Sequence, residues 1–212
     1  MATIPQSLPQ PTPTCPEPAW EVALLFPSQG DWSESDYLAL DTNRLVELVD
    51  GKLQVLPMPS MLHQLIVEFL HDALKTFVRK HRLGQVFFAP LPVRIRKDTL
   101  REPDVIFASR ERLGQPEDKR LDGADLVMEV VSPDDGSHER DYEKKRADYA
   151  ARKIPEYWIV DPQTERIIVL VLKGKQYRVH GEFAPEQQAT SVLLDGFSVD
   201  VAEVFAAGKK IA

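Results

Sequence analysis

The feature that most constrains the fold of this chain is a glutamate inside an otherwise apolar run. Residues 126–131 read LVMEVV, with Glu129 as the only polar position. A near-continuous apolar run of this length is typical of a strand covered on both faces of a sheet. Burying an unpaired carboxylate there is costly, so Glu129 needs an ion-pair partner, a proton or a metal ion. Arg94, Arg96 and Lys145 are the candidate ion-pair partners.

The segments around this run predict a mixed α/β fold. A helix is predicted over 137–152 and an apolar strand over 157–161, and this strand–helix–strand order implies a parallel crossover within a mixed sheet. Asp50-Gly51 lies between two short apolar runs, which is a strong hairpin signal. Ser60 begins a long amphipathic helix. Lys173-Gly174-Lys175 predicts a turn into a C-terminal β-hairpin.

Proline usage predicts the domain organisation. Six of the 17 prolines fall within residues 1–18. Such a stretch favours extended polyproline geometry and forms neither a helix nor a central strand. We therefore assign residues 1–32 to a proline-rich N-terminal arm and 33–212 to one folded domain, which suits a chain of 212 residues.

Charge and cysteine usage narrow the classes of function. The chain has 33 acidic and 26 basic side chains, a formal charge of −7, which argues against a protein that coats nucleic acid by charge alone. A single cysteine, Cys15, excludes an intramolecular disulfide and a cysteine-built zinc site, and favours a reducing, cytoplasmic setting. No apolar run approaches the roughly 20 residues that cross a bilayer, so we expect no association with a membrane.

A second carboxylate strengthens the interpretation of Glu129. Asp104 follows Pro103 and leads into the apolar residues 105–108, so we place it at a strand end. Alone, Asp104 is typical of a turn and Glu129 of a buried ion pair. Two carboxylates on neighbouring strands, pointing to one side, instead form a hard-oxygen site suited to Mg²⁺ or Mn²⁺.

The helix predicted after this strand supplies candidate cations. Asp141 and Lys145 are four residues apart and share a face that Tyr149 continues. Lys144 lies about 100° further round the helix, so we expect only one of the two lysines to reach the sheet. Most other charged residues between 138 and 146 are typical of a solvated helix face.

These motifs, in this order, resemble the Uma-type restriction endonucleases of the PD-(D/E)XK nuclease superfamily. The motifs are Pro103-Asp104, Glu129 to Pro133, Asp141 to Lys145, Tyr149 and Glu156 to Asp161, with Glu47 to Leu53 and His63-Gln64 upstream. The resemblance runs from about Asp36 to Asp195-Gly196-Phe197. It implies a restriction-endonuclease-like core, which is a mixed sheet with flanking helices and a site at one sheet edge.

The resemblance also implies a metal site. Asp104 and Glu129 would bind a divalent cation, Mg²⁺ or Mn²⁺, together with the Val130 carbonyl. Glu47 would complete or orient the metal shell. Three arginines close to Asp104 in the sequence are either phosphate contacts or solvated strand residues: Arg94, Arg96 and Arg101. His63 either stabilises its helix or joins the site.

The catalytic lysine is implied at an unusual position. The superfamily usually places it two residues after the glutamate, where this chain has Val131. In this family the following helix supplies it instead, which implies Lys145, with Lys144 as the substitute.

The implied function is metal-dependent hydrolysis of phosphodiester bonds in DNA by an endonuclease. We expect a homodimer, because the two strands of a duplex require two sites. Two alternatives stay open: a catalytically silent nuclease-fold protein that binds nucleic acid or a protein partner, and a structural protein whose buried acids form ion pairs. The presence of Glu47, Asp104, Glu129 and Lys145 favours the nuclease.

Overall fold

In a computed structural model of the chain, the structure describes residues 25–42, 44–134 and 136–209. Most of the predicted arm of residues 1–32 therefore lies outside the described residues.

The α-helices are α1 (Glu34–Ala39), α2 (Met61–His81), α3 (Ser137–Glu139), α4 (Lys145–Arg152) and α5 (Val201–Ala207). A 3₁₀ turn covers Arg110–Arg112, and a π-helical turn, Arg140–Lys144, joins α3 to α4. The strands are β1 (Val46–Val49), β2 (Lys52–Val55), β3 (Gly84–Phe88), β4 (Val93–Arg96), β5 (Thr99–Arg101), β6 (Val105–Ser109), β7 (Leu126–Val130), β8 (Glu156–Asp161), β9 (Arg166–Lys173), β10 (Gln176–Phe183), β11 (Gln188–Thr190) and β12 (Ser198–Asp200).

A six-stranded mixed sheet forms the centre of the described part of the chain, in the order β10-β9-β8-β7-β6-β3. Strands β7 and β8 are parallel, and the other pairs are antiparallel. Every residue of β7 and β8 is buried, as expected for strands covered on both faces. The predicted central strand, the parallel crossover and the C-terminal hairpin β9–β10 are therefore confirmed.

Helices cover both faces of this sheet. On one face, α2 and α5 bury an apolar cluster that includes Leu70, Met128 and Trp158. On the other face, Tyr149 of α4 belongs to a second buried cluster with Ile159 of β8. Because both faces are apolar, β7 and β8 are held in the middle layer, and any polar group on them must find its partner at a strand end or from an overlying helix.

A second sheet, in the order β2-β1-β5-β4, continues directly into β6 through residues 102–104. The predicted Asp50-Gly51 hairpin is confirmed, with positive φ values of 49° and 71° that suit a two-residue turn. Under this sheet, Trp32 joins a buried cluster with Leu48 and Leu100. Thus the end of the predicted arm packs on the domain, while its boundary at residue 33 stays a prediction.

The long helix α2 begins where the sequence predicts. The Ser60 hydroxyl accepts a hydrogen bond from the His63 amide at 3.2 Å and caps the first turn. Arg82, in the left-handed conformation, ends the helix. The cap fixes His63 in the first turn, beside the end of β7. Neither α2 nor any other described helix has the length and apolarity needed to cross a membrane.

Candidate active site

Asp104 and Glu129 lie together at one end of β6 and β7. These strands are antiparallel neighbours, and Val105 pairs with Met128. Asp104 therefore meets the carboxyl end of β7, where its Oδ2 accepts a hydrogen bond from the Val130 amide at 2.7 Å. Both carboxylates and Val130 line one cavity of about 240 Å³. The structure thus brings the two predicted acids together on one side of the sheet.

Lys145 lies among buried carboxylates. Its Nζ is 2.7 Å from Glu129 Oε2, 3.4 Å from Asp141 Oδ1 and 3.6 Å from Glu47 Oε1. The side chain is 4% exposed. Lys144, in contrast, is exposed and forms an ion pair with Glu139 at 3.0 Å. Only Lys145 reaches the sheet, so of the two candidate lysines it alone contacts the acids.

The π-helical turn helps to place this lysine. The Lys145 amide donates to the Arg140 carbonyl, five residues earlier, rather than to the residue four before it. Such a turn widens the helix by one residue and is frequent at functional sites. Asp141 and Lys145 still share the face that packs on the sheet, as the sequence predicts.

Glu47 lies behind the lysine, in the second sheet. It is completely buried on β1, and its Oε2 accepts a hydrogen bond from Arg101 Nη1 at 2.7 Å. Its Oε1 accepts from the Glu102 amide at 3.0 Å and lies near Lys145. Glu47 is not among the described residues that line the cavity. It contacts the site through Lys145.

Arg101 is the ion-pair partner of Glu47, a contact that sequence reasoning missed. Its guanidinium, 2% exposed, also donates to Asp148 Oδ2 of α4 at 2.7 and 2.9 Å. The second sheet and α4 are therefore joined by a buried ion pair next to Lys145. The expectation that Arg101 is a phosphate contact or a solvated residue is wrong, because both of its carboxylate partners lie inside the protein.

The arginines of β4 keep partly exposed side chains, 37% for Arg94 and 41% for Arg96, as expected of solvated strand residues. Arg94 forms an ion pair with Glu34 at 3.1 Å. Arg96 forms ion pairs with Asp50 and Asp148 at 2.8 and 2.5 Å. Neither lines the cavity, and neither is the partner of Glu129.

His63 and Tyr149 hold the two acids in place. His63 Nε2 lies 3.3 Å from Asp104 Oδ2, and the Tyr149 hydroxyl donates a short hydrogen bond to Glu129 Oε1. Burial lowers the pKa of His63, but Asp104 and the Val130 backbone raise it by more, so the pKa lies above its usual value. His63 therefore joins the site, and its amide also serves the helix cap.

The cluster around Lys145 holds more buried carboxylates than cations, because Glu47, Glu129 and Asp141 surround one ammonium group. Burial raises the pKa of the Glu129 carboxyl to about 8; Lys145 opposes that shift, and nearby carboxylates reinforce it. Burial likewise raises the pKa of Asp141. In the protein without metal, a proton is therefore shared within this cluster near neutral pH.

Glu129→Gln tests this excess of negative charge. Since the pKa of Glu129 is about 8 when folded against an ordinary 4.5, the folded protein binds the proton more tightly than the unfolded chain. The free energy of unfolding should then fall as pH rises through this window, by up to about 1.4 kcal/mol per pH unit. In urea unfolding without divalent metal, the free energy of unfolding of Glu129→Gln should fall less steeply with rising pH than that of wild type. The exposed Glu139→Gln is the control, and parallel pH profiles for Glu129→Gln and wild type would contradict the assignment.

The residues present fit a hard divalent cation. Asp104, Glu129 and the Val130 carbonyl supply oxygen donors on one cavity, as Mg²⁺ and Mn²⁺ prefer. Glu102 lines the same cavity, and within the described part of the chain its buried Oε2 has no hydrogen-bond partner. No group of three or more His, Cys, Asp or Glu side chains among the described residues is arranged as a ready metal site. Four carboxylates line the cavity among the described residues, those of Glu102, Asp104, Glu129 and Asp141, and the carbonyl, water and substrate oxygens can fill the remaining positions around a cation.

Comparison with known proteins agrees with this fold. Among solved structures, the chain resembles a protein described as a putative nuclease belonging to DUF820 from Anabaena variabilis ATCC 29413. The TM-score is 0.69 at 18% sequence identity, over 83% of this chain and 98% of that chain. At this identity the likeness establishes the fold, so the expected mixed sheet with flanking helices is confirmed. No curated protein matches the chain.

The family match covers most of the sequence. Residues 34–202 match the model of the Uma2 family, which carries the description "Putative restriction endonuclease". This range begins at α1 and ends within α5, so it includes all three sheets of the described residues and every residue of the candidate site. The resemblance drawn from the sequence motifs is confirmed, and the chain belongs to the Uma2 family.

Proposed function

We propose that this protein is an endonuclease that hydrolyses phosphodiester bonds in DNA with Mg²⁺ or Mn²⁺ as cofactor. One observation carries the proposal: Asp104 and Glu129 share a cavity, with the Lys145 ammonium 2.7 Å from Glu129. Two acids at the ends of adjacent strands, with one lysine from the overlying helix, match the needs of phosphodiester hydrolysis. The family description and the nuclease-like fold support the same reaction class.

Each residue has a role that follows from its position. Asp104, Glu129 and the Val130 carbonyl would hold the cation, while Glu47 would orient Lys145 from behind. When bound, the cation lowers the pKa of its water and neutralises charge on the phosphate. Lys145 can hold the attacking water by a hydrogen bond and stabilise the charge that develops at the phosphate.

The remaining cavity residues suit substrate binding. Arg140 lines the cavity, and its side chain is 16% exposed, so its guanidinium can contact a phosphate oxygen. In the reaction the water oxygen bonds to phosphorus and the bond to the leaving sugar oxygen breaks. One proton of the attacking water passes to a cavity carboxylate, and the leaving oxygen takes up a proton from bulk water. His63 keeps Asp104 in place throughout.

Substrate and assembly follow from the same proposal. We assign DNA as the substrate from the family description, and a homodimer because cutting both strands of a duplex requires two sites. A monomer mass in analytical ultracentrifugation, together with nicking of a single strand only, would contradict the dimer.

Lys145→Met tests the catalytic assignment against Lys144→Met. Removing the buried ammonium should slow metal-dependent cleavage of plasmid and single-stranded DNA by at least about a hundredfold, since one stabilising donor is lost. Lys144→Met should cleave at nearly the wild-type rate, because Lys144 is exposed and paired with Glu139.

A thermal melt must show that each lysine variant is folded before its rate is compared. A folded Lys145→Met protein that cleaves at the wild-type rate would remove Lys145 from the mechanism. If Lys145→Met does not fold, Lys145→Gln is the replacement, because it retains a hydrogen-bond donor at a similar length.

A catalytically silent nuclease-fold protein is the second candidate function. The observation that favours it is the saturation of Glu129, whose two oxygens accept from Lys145 and Tyr149. In a silent descendant these contacts would serve stability alone. Failure of the wild-type protein to bind metal in the presence of DNA would favour this second function.

A further inference from the structure

An exposed aromatic ring lies next to the candidate active site. Phe88 is the last residue of β3, which pairs only with β6 among the described strands, and its side chain is 56% exposed. Its Cα pairs with Val105, directly after Asp104, and the next amide, that of Ala89, donates to the Asp104 carbonyl at 3.3 Å. The ring is thus attached one residue away from a proposed metal ligand.

A separate cavity of about 350 Å³ lies beside this ring. Phe88, His71, Glu68 and Gln64 are among its lining residues, and Gln64 also lines the cavity of the candidate active site. The His71 ring meets the Phe88 ring edge-on, with centroids 5.0 Å apart. His71 therefore supports the phenyl ring from the helix side, and the cavity shares Gln64 with the cavity of the candidate active site.

The chemistry of this cavity suits a nucleobase rather than a phosphate. Lysine and arginine are absent from its described lining, while Glu68, Asp72 and Gln64 supply hydrogen-bond acceptors. These acidic side chains repel phosphate but accept hydrogen bonds from the amino groups of bases. An exposed aromatic face provides the stacking surface that single-stranded nucleic acids use.

We infer that Phe88 and the adjoining cavity form a subsite for an unpaired nucleobase, next to the phosphodiester bond that is cut. In a regular duplex the base faces are stacked inside the helix and cannot reach Phe88. The substrate class is therefore DNA with an unpaired base at the cleavage position, such as a single strand, a flap or a duplex from which one base is flipped out. This inference rests on the proposed function and specifies its substrate.

Strand binding with and without bases tests the subsite. Fluorescence anisotropy would compare a labelled short single-stranded oligonucleotide with its fully abasic counterpart, which has the same phosphates. Phe88→Ala should raise Kd for the base-bearing strand about 5- to 150-fold, the usual range for losing one stacked base, and leave Kd for the abasic strand unchanged. Phe88→Tyr should restore binding, whereas Phe88→Leu, which keeps an apolar side chain without an aromatic face, should not.

The control and the contrary outcomes are distinct. Val179→Ala removes another exposed apolar side chain, on β10 at the opposite edge of the sheet, and should change neither Kd. Equal weakening on both strands, or no weakening, overturns the inference. So does a lower sedimentation mass for Phe88→Ala, because the ring would then belong to an interface between two copies of the chain.

The test also separates this inference from the proposed function. If wild type binds Mn²⁺ and cleaves DNA but Phe88→Ala shows no base-dependent loss, the subsite is wrong and the nuclease stands. If the base-dependent loss appears without metal binding or cleavage, the subsite stands and the nuclease is wrong. Binding of neither strand by wild type overturns the subsite.

Discussion

Asp104→Ala combined with Glu129→Ala is expected to abolish binding of Mg²⁺ and Mn²⁺ and to reduce DNA cleavage below detection. Of the four carboxylates that line the cavity in the described part of the chain, these two lie on adjacent strands at the same end of the sheet. Without them the Val130 carbonyl, Glu102 and the Asp141 carboxylate that is paired with Lys145 supply too few oxygens to hold a hard divalent ion. Isothermal titration calorimetry with each metal, on wild type and on the double variant, measures the loss directly.

A matched pair of exposed carboxylates controls for total charge. Asp122→Ala combined with Glu139→Ala removes two acids whose side chains are 64% and 60% exposed and outside the cavity. This control should bind metal as wild type does. Unchanged heats in the Asp104→Ala, Glu129→Ala protein would place the metal elsewhere and remove the basis of the proposed mechanism.

Arg101→Ala is expected to lower the free energy of unfolding by about 3–5 kcal/mol, the usual loss when one member of a buried ion pair is removed. Arg101 is 2% exposed and lies between Glu47 and Asp148, so the substitution leaves two carboxylates inside the protein without their main partner. Arg96→Ala breaks a contact with the same aspartate from a side chain that is 41% exposed. It should therefore cost much less. Urea unfolding of both variants makes the comparison.

The loss in Arg101→Ala should depend on pH in a defined direction. Burial acts to raise the pKa of Glu47, but Lys145 and Arg101 together bring it below its usual value. In wild type, Glu47 thus stabilises the fold above its ordinary pKa of 4.5, and this contribution is lost as pH falls through the lower folded value. Without Arg101 the carboxyl takes up a proton more readily, so the difference between variant and wild type should shrink towards low pH. A difference that is constant with pH would contradict this account of Glu47.

Much of the fold follows from local patterns in the sequence. The Asp50-Gly51 turn, the capped helix from Ser60 and the apolar strand around Glu129 each carry a short-range signal, and each lies where the pattern predicts. Glu129 and Asp104 could be identified because each is a charged residue next to apolar ones, the first inside a buried strand and the second at the start of another. Their conflict with the apolar pattern is itself the signal.

Sequence reasoning failed where partners are distant along the chain. In the sequence, Arg101 looks like one of several arginines on polar strands. In the structure α4 covers it, and Asp148 of that helix, 47 residues later in the chain, accepts its hydrogen bonds. Neither residue is unusual within its own segment, so only the packing of the helix on the second sheet reveals the pair. Phe88 escapes notice for the same reason, since its nearness to Asp104 depends on the pairing of β3 with β6.

The π-helical turn at Arg140–Lys144 has a consequence for aligning relatives within this family. A homologue with a regular α-helix in this place needs one residue fewer to present its lysine to the same acids. An ungapped alignment would then set that lysine against Lys144, which in this protein points to solvent. In such a homologue the spacing between the strand glutamate and the lysine would be one residue shorter than the 16 residues of this chain. Homologues should be matched by which lysine faces the sheet, and a missing lysine column does not by itself mark an inactive relative.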